Sequence, residues 1–387
     1  MLDVETLVGK HLHGFVFFDE FTFSNTLFPI NGTGEGELAD AVVFLGGTMM
    51  VFQIKERNHA SFIDEDSERR WFKAKVLKEA TRQIRTTMEY LSSAHQLLVP
   101  NQRGKEFDLA VHRPDEVIKV VLYKSHPSLP AECRGVHFHR SDTAGFIHII
   151  NVDDYLQLTT ILRVPFELFL YFRYRERALT KFTELVAGLP EACIAGQFVT
   201  GRFDDAPTAE SFEWLHKMKE DDHSWDISHI LEGMRDGFDY AGYASDYYEI
   251  LEEFAKLPRS SWRLIKERIL RSLEKVDSDE WTEPYRIVCV ETNCGFTFVP
   301  VHSELTSRAD WNDRKLNYLA VMTRAHKYDC RLNICVGLLI YKSGEQYCID
   351  WCLDHEPWQY NAEMAKALEE RPLRKVRLAE IEPYHFE

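Results

Sequence analysis

Long apolar runs are missing from this 387-residue chain, and no segment approaches the roughly 20 apolar residues that span a bilayer. The opening MLDVETLVGKHLHG carries early acids and lacks the basic-then-apolar order of a secretory signal. A soluble cytoplasmic protein with no membrane partner is therefore expected. Excess positive charge is missing too. The formal net charge is −16 and the pI about 5.5, which excludes a general polyanion binder and confines any nucleic-acid site to a local basic patch. The signatures G-x-S-x-G, H-E-x-x-H and G-x4-G-K-[S/T] are absent, so a hydrolase elbow, a zincin site and a P-loop have no support. The eight cysteines include no C-x2-C pair. The six between Cys289 and Cys352 read as buried strand thiols, with zinc on Cys348, Cys352 and His355 as the sharper alternative.

Apolar residues make up 45% of the chain, enough for two or three packed cores. After the acidic IDEDSE the pattern turns helical from about Glu68 to Leu97, with Asp66 or Ser67 as the expected cap. The runs VIKVVLY and GFIHIINV read as strands, helices dominate from Pro165, and strands return near Pro284. This texture suggests three domains: 1–162, a helical 163–280, and a small α+β module at 281–387. Within FLYFRYRER, Arg173, Arg175 and Arg177 are i,i+2 neighbours, which a helix spreads around its surface, so a solvated face is expected there. No repeat or low-complexity tract is visible in the sequence.

The most informative stretch is ELADAVVFLGGTMMVFQIKER, Glu37 to Arg57. Gly46-Gly47 between two apolar runs predicts a two-residue hairpin turn. In that register Asp40 faces Gln53, with Cβ atoms about 4.5–5.5 Å apart. Lys55 shares the face of Gln53, while Phe52 and Ile54 point the other way. A carboxylate and an amide oxygen so placed can share a hard cation. A nearby lysine can orient a water or stabilise charge growing on a phosphate. The plainer alternative is an Asp–Lys pair closing a strand end, with Gln53 hydrogen-bonded beside it.

Asp-x12-Gln-x-Lys on a hairpin, after one helix and before a long basic one, resembles the core of the PD-(D/E)xK nuclease superfamily. The glutamine variant is similar to the Mrr-like restriction endonucleases, over roughly the first 160 residues. The resemblance implies an α/β fold: a restriction-endonuclease-like mixed sheet flanked by helices, here followed by the helical domain and the α+β module. It implies hydrolysis of phosphodiester bonds in DNA rather than RNA with Mg²⁺ or Mn²⁺, in defence against foreign DNA. Asp40, Gln53 and the Ile54 carbonyl would ligate the metal, and Lys55 would position the attacking water. Ala39 stands where the signature has proline, and Gln53 removes one negative charge.

Superfamily members often supply a further acid. Glu37 is favoured, with Glu5 on the opening helix and Glu20 as alternatives. Glu37 lies three residues before Asp40, so an extended strand aims it at the wrong face unless the chain bends. On the long helix, Leu77, Ala80, Ile84, Met88 and Leu91 form an apolar stripe. Lys75, Lys78, Arg82 and Arg85 share another side, which is either a track for a phosphate backbone or an ordinary solvated face. By resemblance, Gln83 joins the lysine. The C-terminal half carries no catalytic signature and suits target recognition, a protein partner or self-association. The rival to a nuclease is a non-catalytic interaction protein on the same scaffold.

Overall fold

A computed structural model of the chain describes residues 4–12, 18–24, 27–30, 34–57, 64–94, 96–111, 113–219, 222–240, 242 and 246–379. They form two compact α/β units, Met1–Glu220 and Asp221–Glu382. Among the described residues no helix is long and apolar enough to cross a membrane.

The strands of the first unit are β1 (Thr22–Ser24), the paired β2 (Leu27–Ile30) and β3 (Gly34–Glu37), β4 (Ala41–Leu45), β5 (Thr48–Glu56), the paired β6 (Leu98–Pro100) and β7 (Glu106–Asp108), β8 (Glu116–Lys124), β9 (Phe138–Ser141) and β10 (Gly145–Asn151). Six of them build a mixed sheet in the order β1-β4-β5-β8-β10-β9. The β4–β5 hairpin has the expected register, from Ala41 opposite Phe52 to Leu45 opposite Thr48. Its turn needs glycine, since Gly46 and Gly47 take φ of 57° and 79°. β8 then runs parallel to β5, and β10 parallel to β8. Met49 to Phe52 are wholly buried, as a strand covered on both faces requires.

The crossover from β5 to β8 is the long helix, residues 65–93. Its cap is Asp64, whose carboxylate accepts from the Ser67 N–H at 2.6 Å, in place of the expected Asp66 or Ser67. It ends at Ser93, before β6 takes up the chain at Leu98. The segment Phe72–Glu79 is π-helical, a feature with no signal in the residue pattern. Phe72, Val76, Ala80 and Ile84 pack on Val121, Tyr123, Ile147 and Ile149, with Leu77 and Met88 partly buried against them.

Three further helices, Val152–Ile161, Pro165–Lys181 and Glu191–Val199, belong to the first unit. The solvated face expected for the arginines of FLYFRYRER fails at Arg175, which is 0% exposed. Its Nε and Nη2 donate to the two Glu191 oxygens at 2.7 and 2.9 Å, and its other N–H groups bond His148 and the carbonyls of His137 and Ile149. A guanidinium can be buried only when so many acceptors meet it. Burial alone would raise the Glu191 pKa, but Arg175 and His137 overcome it and hold the carboxyl well below its usual range. Position 162 is therefore not a boundary between units, because this clamp fastens the following helices to the sheet.

The second unit also crosses one of the expected boundaries, near 280. Helices Tyr248–Ala255 and Arg259–Asp277 join a sheet of β11 (Tyr285–Cys289), β12 (Cys294–Pro300), β13 (Ile334–Ser343), β14 (Gln346–Asp354) and β15 (Arg377–Ala379), ordered β14-β13-β12-β11-β15. Helix Trp311–Asp329 links β12 to β13, which run parallel. All eight cysteines are free thiols. Cys348, Cys352 and His355 form no ligand cluster among the described residues; His355 pairs with Glu249 at 2.8 Å instead.

Candidate metal centre

Strand pairing stops after Glu37, the chain bends at Asp40, and pairing resumes at Ala41. Asp40 thus stands just outside the β4–β5 ladder, beside the last residues of β5. It is 7% exposed and Gln53 2%, so each needs a partner. The Ile54 N–H and the Lys55 ammonium both donate to Asp40 Oδ2, the latter at 3.4 Å. Lys55 Nζ also donates to Gln53 Oε1 at 3.3 Å and to the Ile54 carbonyl at 3.1 Å. Asp40, Gln53 and Ile54, the three groups expected to surround a cation, therefore all surround the lysine ammonium. The alternative of an Asp–Lys pair with Gln53 alongside has the same contacts.

Two more acids lie beside these groups, Glu5 and Glu37, both exposed. The carboxylates of Glu5, Glu37 and Asp40 lie within 4.8 Å of one another. Glu37 reaches its neighbour because the chain bends at Asp40. Loss of solvent raises its pKa, the neighbouring Asp40 charge adds to the rise, and Lys55 opposes it. Glu5 comes from the opening helix, Val4–His11. Val4 and Val8 bury that helix, and its first N–H donates to Glu56 Oε2 at the end of β5, at 3.4 Å. Both Glu37 and Glu5 are thus brought in, whereas Glu20 is wholly buried and lies 3.9 Å from Arg103.

The long helix supplies the remaining wall. Lys55 is one of the cations that lower the Glu79 pKa, behind the direct hydrogen bond from Lys75. One turn on, Gln83 has a buried Oε1 with no hydrogen-bond partner among the described residues. One turn further, the hydroxyl of Thr87 donates to the Leu38 carbonyl. Thr87 and Glu56 escaped the sequence reading; the i,i+4 spacing from Gln83 was the only trace of Thr87, and Glu56 left none. Lys75, Lys78, Arg82 and Arg85 are all exposed. Lys75 is paired with Glu79 at 2.6 Å and Arg85 with Glu89 at 3.7 Å, while Lys78 and Arg82 make no salt bridge among the described residues.

The chain matches no protein-family model, no curated protein and no solved structure.

Proposed function

We propose that the first unit is a metal-dependent nuclease of the PD-(D/E)xK kind, with a restriction-endonuclease-like core, acting on DNA. The observation that carries this reading is the meeting of Glu5, Glu37 and Asp40 within 4.8 Å, next to Gln53 and Lys55. The order of antiparallel hairpin, helix and parallel strand that carries them supports it as well. The donor set fits Mg²⁺ or Mn²⁺: it is all oxygen, and the charge missing at Gln53 is made up by two nearby carboxylates. Both hydrogen bonds to Asp40 fall on Oδ2, leaving Oδ1 for a cation. The Ile54 carbonyl and Gln53 Oε1 complete the donors. When bound, the metal would polarise the phosphoryl group and lower the pKa of a coordinated water.

The chain's own groups then have separable tasks. Ile54 N–H fixes the Asp40 carboxylate. Lys55, released from its acceptors, donates to the attacking water or to the phosphate oxygen on which charge grows. Lys78 and Arg82, which make no salt bridge among the described residues, offer cations to the phosphate backbone, whereas Lys75 and Arg85 must first leave Glu79 and Glu89. The test is incubation of the full chain with plasmid DNA and Mg²⁺ or Mn²⁺, beside Lys55→Ala. Cleavage by the wild type that drops at least a hundredfold in the variant is expected. Equal cleavage by both, or none with either metal, would move the assignment to an interaction protein.

A further inference from the structure

Glu37 and Asp40 are three residues apart, and in an extended chain such side chains project from opposite faces. Their convergence therefore depends on the unpaired link through Leu38 and Ala39, both 1% exposed, and on the bend at Asp40. A buried carbonyl in such a link lies outside the sheet ladder and needs a donor from elsewhere. The donor is Thr87, itself 1% exposed, whose Oγ1 bonds the Leu38 oxygen. We infer that Thr87 is a positioning residue for the cation site: it holds the bend that aims Glu37 and Asp40 at one point. The inference rests on the reading that these acids bind a metal.

The hydroxyl has one proton and two acceptors in reach, the second being the Gln83 carbonyl at 3.1 Å. The Gln83 bond is the ordinary i−4 contact of a helical threonine and fixes nothing outside the helix. The Leu38 bond is the one that ties helix to motif. Gln83 provides an independent pointer on the same face, since its buried Oε1 has no partner among the described residues. An acceptor left in that state one turn from Thr87 suits a donor brought by a ligand, such as a metal-bound water.

The test is calorimetric titration of Mn²⁺ into the full chain, comparing wild type with Thr87→Val, Thr87→Ser and Thr86→Val. Thr86 is the matched control, because its hydroxyl bonds only the Arg82 carbonyl within the helix. Thr87→Val is expected to weaken Mn²⁺ binding about tenfold, the size of effect typical for groups that orient metal ligands. Thr87→Ser keeps the hydroxyl and is expected to stay within about twofold of wild type, as is Thr86→Val. Should Thr87→Val fail to fold, by circular dichroism, Thr87→Ala is read in its place. Wild-type affinity in the hydroxyl-free variant would overturn the inference while leaving the metal site standing. No Mn²⁺ binding by the wild type, or binding undiminished by Glu37→Gln with Asp40→Asn, would overturn both.

Discussion

At Lys55 the ammonium donates to a carboxylate, an amide and a carbonyl, at 3.4, 3.3 and 3.1 Å. A divalent ion would compete with it for the same oxygens, so the acceptors' charge sets the outcome. Gln53→Glu adds a carboxylate to this set, and affinity in oxygen-ligand sites follows ligand charge. The variant is expected to bind Mn²⁺ roughly tenfold more tightly than wild type by calorimetry. Unchanged or weaker binding would mean that position 53 does not face the cation. The trio was legible in the sequence because local rules decide it: a Gly-Gly turn fixes the register, and the register fixes the face. Glu5 was named only as an alternative, because its arrival depends on how a helix docks. That docking involves Val4, Val8 and the bond from Val4 N–H to Glu56, none of which has a sequence pattern of its own. Arg175 was misread for a similar reason. Its spacing from Arg173 and Arg177 says nothing of Glu191, the distant carboxylate that permits its burial.

The hairpin and the long helix make different demands on sequence. The hairpin hangs on Gly47, whose φ of +79° disfavours any side chain and whose Cβ would lie 2.7 Å from Asp115 Oδ2. Asp115 also donates its N–H to the Gly47 carbonyl at 2.8 Å; its carboxylate can turn away from a new Cβ, so the cost falls mainly on the positive φ. Gly47→Ala is expected to cost about 1–3 kcal/mol in urea unfolding. Its effect on Mn²⁺ affinity should be small, since the turn lies at the end of the hairpin away from Asp40. A loss below about 0.5 kcal/mol would show that the turn relaxes freely. The helix was visible through its apolar stripe, yet its ends and its interior were not. Several acids precede it, and only the coordinates show that Asp64 meets the Ser67 N–H. In the π-helical segment Phe72–Glu79, Phe72 and Val76 are wholly buried in the cluster against the sheet.

Across the whole molecule the two units repeat one order: an antiparallel hairpin, a helix, then a strand parallel to the hairpin's second strand. The sequence shows no repeat because what recurs is pairing rather than residues. Matching Ala41–Phe52 to Tyr285–Phe298 puts Pro284, Val299 and Val301 where the first unit has Asp40, Gln53 and Lys55. Val299 and Val301 are buried and apolar, so the repeated order carries no such site in the second unit. Each unit does hold a buried histidine that stays neutral. Burial, with Arg175 nearby, keeps His148 well below its ordinary pKa, and burial, with Arg286 nearby, brings His326 to about 3. In the unfolded chain both take up a proton near pH 6.5, whereas the folded chain does not. Stability is therefore complete above about pH 7 and falls as the pH drops through 6.5, by roughly 1.4 kcal/mol per histidine between pH 7.5 and 5.5. Glu191 does not interfere, because a lowered carboxyl pKa yields its stability only below the ordinary carboxylate range. The raised carboxyls of Glu37 and Asp154 act in the opposite sense, favouring the folded state as they take up protons. Urea unfolding at the two pH values, on wild type and His326→Asn, isolates the second unit's share. The contact with Thr297 is altered equally at both pH values, so only the difference between them is read. That difference should shrink by about 1.4 kcal/mol in the variant; an unchanged difference would mean that His326 takes up its proton in the folded state.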